Sequence, residues 1–323
     1  EIVVRENIGF EQKAYEHIFL NYLSKNELQE YDEVIMSNNS FYGPLEPFKD
    51  IFDSMESQEL DFWGMGMADM NAFIVMPSFF IVYRKKIITN RELEVFFDKN
   101  KIYEVRDFGN VVQLFEYGLF SYLKNKGYSY GVYSTGNSFW RMLEPDVFLI
   151  EKKLPIIARK AFGPQLYENS RIRRCIDYIK NNTCYDVSLI LKNAYRQYGY
   201  DRNNVKDDFV DKKKLDDLKK LPVITCSVIE SFFRSHSEVY VYGAGNLGGK
   251  IATYYSQYSS KLKGFVISDG QKYEYEDLFG YSVINFSQLK EGVGVIVAMG
   301  RKLIEEVKPA LENDKSRDYL FFY

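Results

Sequence analysis

The sequence predicts an α/β protein in which two α/β regions flank a helical connector. In the first half, short apolar strands alternate with segments whose apolar residues recur at helical spacing, and this alternation favours a three-layer α/β sheet. Between about residues 165 and 237 the pattern becomes helical and charged, and strands then return in EVYVY, GFVIS and VGVIVAM. We therefore predict an α/β domain over residues 1–164, a connector over 165–237 and a smaller α/β domain over 238–323.

The elements of the first half follow from the period of their apolar residues, which is two in a strand and about 3.6 in a helix. The predicted helices are Glu11–Ser24, Leu45–Met55 and Val111–Lys126, the last of them ended by Gly127. In the connector, DDFVDKKKLDDLKK carries charges of both signs, which is typical of a solvated helical face and not of a membrane-binding patch. The predicted strands are Ile2–Val4, Glu33–Met36, Asp61–Trp63, Phe79–Tyr83 and Tyr130–Tyr133.

The composition narrows the classes of function. The 323 residues carry 42 Lys and Arg against 45 Asp and Glu, and this balance gives no positive field to attract nucleic acid. The three cysteines are scattered and form neither a zinc pattern nor a disulfide framework, which predicts a reducing, cytoplasmic compartment. No apolar run approaches the roughly 18 residues that a membrane-spanning helix needs. Because the chain starts at Glu1 with a strand-like run, we expect it to begin inside a domain.

A glycine-rich loop, G-A-G-N-L-G, lies between an apolar strand and an amphipathic helix near the C-terminus. Gly243 suits a tight turn, Gly245 suits close approach of a ligand to the backbone, and Gly248 suits packing of the helix on the strand. The next strand ends at Asp269, where a dinucleotide-binding unit places the acid that binds a ribose hydroxyl. This context predicts a Rossmann-like domain. It leaves open whether the domain is an accessory that binds no nucleotide or holds a nucleotide, sugar-nucleotide or NAD site.

A second polar edge follows the predicted strand in YDEVIMSNNSFYGP. The apolar run stops at Asn38, Asn39 and Ser40, and in α/β proteins such a strand end is where ligands bind. A hard divalent cation such as Mg²⁺ or Mn²⁺ prefers carboxylate oxygens, and an amide is a weaker ligand. The residues alone leave three interpretations: a catalytic edge, a metal site with weakened ligands, or a turn.

Five segments occur in order along roughly residues 1–163: VVRENIGFEQKAY, the stretch just quoted, LDFWGMG, MPSFFIVYRKKII and VVQLFEYGLFSYLKNKGY. Together they resemble the rhamnan synthesis protein F family of polysaccharide glycosyltransferases. The resemblance implies a GT-A-like fold that is incomplete at its N-terminus. Three positions depart from the family pattern: Glu11 and Asn39 each replace an expected Asp, and the segment at Val75 replaces a His-containing lead-in. The positions that match are Asn7, Gly9, Phe10, Asn38, Ser40, Gly43, Pro44, Asp61, Trp63, Gly64, Ser78, Phe80 and Glu116.

The resemblance implies an inverting glycosyltransferase in which Glu116 is the base that deprotonates the acceptor. The family name implies L-rhamnose as the donor sugar, a nucleoside diphosphate as its carrier, and a cell-surface polysaccharide or lipid-linked glycan as the acceptor. In KLPIIARK, Arg159 and Lys160 are expected to contact the donor diphosphate. The expected donor-binding set is Asn7, Gly9, Asn38, Asn39, Ser40, Arg159 and Lys160, and the expected sugar or acceptor contacts are Asp61, Trp63, Asp69 and Ser78.

Metal dependence stays open at this point, because Asn39 weakens the case for Mg²⁺ or Mn²⁺ without removing it. We expect a cytoplasmic protein that can work at the inner face of the membrane. Two other classes of function remain: a non-catalytic scaffold subunit of polysaccharide assembly, and a sugar-nucleotide or NAD enzyme centred on Gly243–Asp269.

Overall fold

A computed structural model describes residue 4 and residues 10–22, 25–100, 108–137, 144–163, 169–201, 224–274 and 277–322. The predicted α/β class is confirmed, since the described residues form helices together with two larger sheets, of four and six strands. The strands are β1 (Glu33–Ser37), β2 (Phe41–Tyr42), β3 (Phe62–Gly64), β4 (Ala68–Asp69), β5 (Ile74–Val75), β6 (Phe80–Arg84), β7 (Tyr130–Val132), β8 (Ile157–Ala158), β9 (Val239–Tyr242), β10 (Leu262–Ile267), β11 (Asp277–Leu278), β12 (Tyr281–Asn285), β13 (Gly294–Ala298) and β14 (Asp318–Phe322).

The α-helices are interrupted or extended by π-helical and 3-10 segments. The π-helical segments are Ile18–Tyr22, Gln113–Leu119 and Val147–Glu151, and the 3-10 segments are Arg159–Phe162, Ser256–Tyr258 and Phe286–Gln288. The α-helices are α1 (Phe10–His17), α2 (Lys25–Glu30), α3 (Lys49–Glu56), α4 (Lys85–Thr89), α5 (Glu92–Asn100), α6 (Phe108–Val112), α7 (Phe120–Asn125), α8 (Asn169–Asn182), α9 (Val187–Tyr198), α10 (Cys226–Ser235), α11 (Asn246–Tyr254) and α12 (Arg301–Asn313).

The N-terminal sheet has the strand order β1-β6-β3-β7. Strand β6 is antiparallel to both of its neighbours, and β3 is parallel to β7. Strands β1, β3 and β7 therefore end at the same edge of the sheet, and β6 begins there. Four of the predicted strands are confirmed to within one or two residues, whereas the predicted strand Ile2–Val4 lies outside the described residues except for its last position.

All three predicted helices in this region differ from the observed ones. The helix expected over Glu11–Ser24 is α1, which begins at Phe10 and continues as the π-helical segment Ile18–Tyr22. The helix expected from Leu45 begins only at Lys49. The residue before a proline is disfavoured in helical geometry, so Pro47 delays the start of the helix, and Leu45 N instead donates to Pro155 O at 2.8 Å. The helix expected from Val111 begins earlier, in α6, and widens into a π-helix before continuing as α7. It ends as predicted at Gly127, whose φ of 84° favours glycine.

The connector region contains the expected helices α8, α9 and α10. Helix α8 buries Ile172, Ile176 and Ile179 in a cluster with β8 and α9, so it packs on the N-terminal region. By contrast, α10 contributes Ile229 and Phe233 to the core of the C-terminal sheet. The charged run DDFVDKKKLDDLKK lies outside the described residues, and the domain boundaries at 164 and 237 stay predictions.

The C-terminal sheet has the order β11-β12-β10-β9-β13-β14. All of its neighbouring strands are parallel except β11, which pairs antiparallel with β12. Counted along the chain, the five parallel strands lie in the order third, second, first, fourth, fifth, as in doubly wound nucleotide-binding sheets. The predicted strands EVYVY, GFVIS and VGVIVAM are confirmed as β9, β10 and β13.

The two sheets share one continuous apolar core. Phe73, which precedes β5, lies at its centre and is 2% exposed. Its ring centroid is 5.5 Å from that of Tyr254, 6.1 Å from that of Tyr255 and 5.7 Å from that of Phe322. Tyr255 also donates a hydrogen bond to the backbone oxygen of Ala72 at 2.6 Å. These contacts use many aromatic side chains, and they explain part of the 17% aromatic content.

Candidate active site

The edge of the N-terminal sheet where β1 ends and β6 begins carries several of the predicted site residues. We call residues Ser37–Ser40 the Asn38 turn. Asn38 N donates to the backbone oxygen of Phe79 at 3.3 Å, and Ser37 Oγ donates to the same oxygen at 3.2 Å. The Asn38 turn is therefore joined directly to the segment that carries Ser78.

Glu116 and Ser78 form a pair at this edge. The backbone N–H of Ser78 donates to Glu116 Oε1 at 3.1 Å, and its hydroxyl donates to the same oxygen at 2.6 Å. Hydrogen bonds to an ionised carboxylate are shorter and stronger than neutral ones, so this pair fixes the position of the carboxylate. Among the residues that the structure describes, no hydrogen bond reaches the other oxygen, Oε2. That oxygen is free to accept a proton from a bound hydroxyl group.

Glu116 lies on a widened helical turn whose neighbouring side chains are largely apolar. Glu116 lies in the π-helix Gln113–Leu119, and π-helical turns often mark functional sites. A small cavity beside the carboxylate is lined largely by aromatic and aliphatic side chains, including Phe62, Tyr83 and Phe115. Glu116 is the only charged residue in that lining. Glu116 therefore borders a largely apolar cavity.

The Asn38 turn is held by local and long-range hydrogen bonds. Ser40 N donates to Asn38 Oδ1 at 3.0 Å, and Asn38 Nδ2 donates to Glu11 Oε1 at 3.4 Å. Arg159 N donates to Ser40 O at 2.9 Å, and Arg159 Nη1 donates to Asn39 O at 2.7 Å. The structure thus brings together four predicted donor-binding residues, Asn38, Asn39, Ser40 and Arg159.

The remaining donor-binding predictions lie nearby or outside the described part. Lys160 follows Arg159 in the same 3-10 segment and is exposed. The guanidinium of Arg159 lies 6.0 Å from the ring centroid of Tyr42, at the outer limit of a cation–π interaction. Asn7 and Gly9 lie outside the described residues.

Three predicted sugar or acceptor contacts lie away from the Glu116–Ser78 pair. Asp61 precedes β3 at the opposite edge of the sheet, where its carboxylate accepts from Ser129 N at 2.8 Å and from Lys86 at 3.1 Å. Trp63 is fully buried and packs against Phe52. Asp69 follows the carboxyl end of β3 and accepts a hydrogen bond from Asn71 N at 2.9 Å. Of this set, only Ser78 contacts Glu116.

Among the residues that the structure describes at this edge, the side chains do not fit a resident divalent cation. Within the described ranges, no group of three or more His, Cys, Asp and Glu side chains could hold a metal ion. The Asn38 turn offers amide and backbone oxygens, and the cation of Arg159 already binds the backbone oxygen of Asn39. Positive charge at this edge thus comes from Arg159 and Lys160.

The glycines of the C-terminal loop differ in how closely other backbone atoms approach them. Gly243 has φ 118°, and a Cβ there would lie 2.4 Å from Ala298 O. A Cβ on Gly248 would lie 2.0 Å from Gly243 O, whereas a Cβ on Gly245 would have no atom within 4 Å. Asp269 ends the neighbouring strand and accepts a hydrogen bond from Ser287 N at 2.9 Å. The loop therefore leaves Gly245 open at the start of α11.

Sequence reasoning missed two residues near the candidate site, Tyr15 and Lys250. The hydroxyl of Tyr15 donates to Ser37 O at 2.6 Å. Burial raises the pKa of Tyr15, and the charge of Glu11 adds to that effect, so the tyrosine stays neutral. Lys250 packs over the ring of Tyr117, the neighbour of Glu116. A signal for Lys250 was present, because it is the only charged residue in α11, NLGGKIATY.

The profile of one protein family, described as rhamnan synthesis protein F, matches residues 1–230. The chain belongs to the rhamnan synthesis protein F family. The match is longer than the predicted extent of 1–163, since it takes in α8 and α9, and it ends before β9. Membership of this family indicates a role in rhamnan synthesis, and hence in polysaccharide biosynthesis with sugar-related substrates.

No curated protein and no solved structure matches the chain. Of the helices formed by the described residues, none combines the length and the apolar character needed to cross a bilayer.

Proposed function

We propose that this member of the rhamnan synthesis protein F family is an inverting glycosyltransferase. It would move a sugar, L-rhamnose by the family description, from a nucleoside diphosphate donor to a cell-surface polysaccharide or lipid-linked glycan at the cytoplasmic face of the membrane. One observation carries the proposal. Ser78 holds Glu116 by one oxygen and leaves Oε2 open, at the same sheet edge as the Asn38 turn and Arg159.

In the proposed reaction, an acceptor hydroxyl oxygen forms a bond to the anomeric carbon of the donor sugar. The bond from that carbon to the diphosphate oxygen breaks, and its electron pair leaves with the diphosphate. Glu116 takes the proton of the attacking hydroxyl through Oε2. Arg159 and Lys160 stabilise the negative charge on the departing diphosphate, because preorganised cations are strongest where charge develops. As written, the step uses only side chains of this protein.

Turnover of a panel of nucleotide sugars by the full chain tests this function. We expect Glu116→Gln to lower turnover by about 100-fold to 10,000-fold, which is the usual contribution of a general base. Ser78→Ala should lower it less, since Glu116 keeps the bond from the backbone N–H. The matched control is Glu56→Gln, which changes an exposed carboxylate of α3 and should leave turnover unchanged. Absence of turnover with every donor would refute the transferase and favour a scaffold subunit.

A second candidate function rests on the C-terminal sheet. Its parallel strand order and the open backbone at Gly245 favour binding of a nucleotide or sugar nucleotide at the start of α11. Binding of NAD or a nucleotide sugar that Gly245→Val abolishes, with transfer at Glu116 retained, would support a separate site. Equal binding by wild type and Gly245→Val would count against it.

A further inference from the structure

Helix α11 of the C-terminal region lies directly against the π-helix that carries Glu116. The closest approach is at Gly249, where a Cβ would lie 1.8 Å from Gln113 Oε1 and 3.1 Å from Phe279 Cε2. Only glycine allows this separation without movement of the neighbouring side chains. Helix α11 therefore lies close against the π-helix, and the next residue, Lys250, packs over the ring of Tyr117, the neighbour of Glu116.

The side chain of Lys250 is largely buried at this contact. Its Nζ lies 5.1 Å from the centroid of the Tyr117 ring, within the range of a cation–π interaction. Burial lowers the pKa of Lys250, and the negative charge of Glu116 acts in the opposite direction. In the described part of the chain, Lys250 makes no ion pair within 4.0 Å. The negative charge of Glu116 therefore acts on Lys250, although the two charged groups lie farther apart than the 4.0 Å of a direct ion pair.

The same helix also holds the segment that leads to Ser78. Tyr254 accepts a hydrogen bond from Ile74 N at 3.3 Å, and Tyr255 donates one to Ala72 O at 2.6 Å. Ser121 Oγ, in α7, donates to the backbone oxygen of Tyr254. Helix α11 and the residue that follows it therefore contact both the π-helix that carries Glu116 and the segment that leads to Ser78, and both lie outside the family match.

We propose that Lys250 is a positioning residue of the transferase site, whose ammonium group attracts the Glu116 carboxylate and fixes the direction of its free oxygen. The proposal rests on the function proposed above. Two hydrogen bonds from Ser78 restrain Oε1 of Glu116, so the carboxylate can still rotate about that oxygen. A cation on the opposite helix removes this freedom without occupying Oε2, so the acceptor hydroxyl can still reach it. The C-terminal region thereby completes the site that the family region begins.

Turnover of the donor by the full chain tests Lys250 through two substitutions of similar length. Lys250→Met removes the charge and keeps most of the bulk, and we expect kcat to fall at least tenfold while the donor KM stays within about twofold. Tenfold corresponds to about 1.4 kcal/mol, the scale of one electrostatic contact. Lys250→Arg keeps the charge and should retain kcat within about threefold. Thermal unfolding of both variants checks that the fold is kept, and Met should be tolerated because it removes a buried charge.

A double-mutant cycle with Glu116→Gln separates positioning from a general structural effect. If Lys250 acts through Glu116, Lys250→Met should cause no further loss of turnover in the Glu116→Gln background. The same fold loss in both backgrounds would overturn the proposal, as would full activity of Lys250→Met alone.

The same four proteins compared by urea unfolding give a readout that does not depend on the reaction. We expect the shift in midpoint caused by Lys250→Met to differ between the wild-type background and the Glu116→Gln background, because the two charges interact. Additive shifts would refute the pairing of Lys250 with Glu116. Failure of the transferase itself would show differently, as no donor turnover by wild type together with non-additive midpoints.

Discussion

At the edge of the N-terminal sheet, the groups that the proposed transfer would use are side chains. Ser78 donates a hydrogen bond to the carboxylate of Glu116, and Arg159 donates one to a backbone oxygen of the Asn38 turn. At the loop that follows β9 in the C-terminal sheet, the distinctive features are glycines whose missing Cβ atoms let backbone segments touch. The two edges therefore differ in what can be done there: the first offers a proton acceptor and cations, whereas the second offers open backbone.

The comparison teaches that the two sheets contribute unequally to function although they share a core. The N-terminal sheet supplies the groups that the proposed transfer needs, and it lies within the family match. The C-terminal sheet lies outside that match and meets the site through α11. Four predictions test this division, in order of decreasing effect.

The largest effect is expected from Phe73→Ala, which removes the ring at the centre of the shared core. Loss of a fully buried phenylalanine costs about 3–5 kcal/mol, because burial is lost and a cavity remains. Urea unfolding should show one transition shifted to lower denaturant. Leu303→Ala is the control, since Leu303 is 54% exposed on α12 and its truncation should change stability little.

Two separate transitions in Phe73→Ala, with the N-terminal one unchanged, would show that the sheets fold independently. The comparison would then be between two autonomous domains.

The second prediction concerns the glycine loop. Gly248→Ala should destabilise the protein by about 2–3 kcal/mol, because the new Cβ would lie 2.0 Å from the backbone oxygen of Gly243 and the backbone must shift. This loss exceeds the roughly 1 kcal/mol that alanine gains over glycine in a helix. Gly245→Ala meets no atom within 4 Å, so it should cost less than about 1 kcal/mol. Equal losses for the two variants, by urea unfolding, would contradict the close contact at Gly248.

The third prediction returns to the N-terminal sheet. Arg159→Ala should raise the donor KM by about tenfold, because a charge-assisted contact to phosphate contributes on the order of 1.5 kcal/mol. Arg159→Lys should recover only part of the loss, since lysine lacks the planar fork. Lys49→Ala, which removes a cation with a 75% exposed side chain, should leave the KM unchanged. A KM that is insensitive to Arg159 would place the diphosphate elsewhere.

The smallest effect is expected from neutralising one of two carboxylates, Asp314 in the C-terminal region or Asp61 beside the N-terminal sheet. Hydrogen bonds from Ser316 and Tyr319 hold the pKa of Asp314 well below its ordinary value. Burial would raise the pKa of Asp61, but hydrogen bonds from Ser129 and Lys86 outweigh it, so that pKa is also lowered. A lowered folded-state pKa gives stability that is fully present above the unfolded value of about 3.9 and is lost as the pH falls through the folded value.

We therefore expect Asp314→Asn to flatten the loss of Tm between about pH 5 and pH 3, and Asp61→Asn to flatten it less. The exposed carboxylate Asp50 of α3 provides the control, since Asp50→Asn should keep the wild-type slope. A steeper slope in Asp314→Asn would mean that the carboxylate is not favoured by folding.

Much of the fold could be predicted from local patterns. Apolar runs gave the central strands of both sheets, and Gly127 gave the end of α7, because those signals act over a few residues. The start of α3 was missed because Pro47 and a bond to Pro155 override helical spacing. The π-helix around Glu116 was missed because an α-helix and a π-helix bury nearly the same residue pattern, and packing decides between them.

The candidate site was predicted less completely. The resemblance brought Ser78, Glu116, Asn38 and Arg159 into one hypothesis, and the structure brings these residues to one edge. Asp61 lies at the opposite edge, because it precedes β3 and the start of β3 pairs with the end of its antiparallel neighbour β6. Lys250 escaped prediction, because its contact with the π-helix joins positions more than 130 residues apart, where no periodicity can report a neighbour.

The sequence by itself determined the α/β class, the order of the main strands, the glycine loop and the family, because each depends on local residue patterns or on several motifs in order. Only the tertiary structure decided that Ser78 binds Glu116, that Trp63 is buried and that α11 lies against the π-helix that carries Glu116. These facts depend on strand direction and on packing between distant segments. A sequence specifies such contacts only through the whole fold, since side chains far apart along the chain meet only when both sheets have formed.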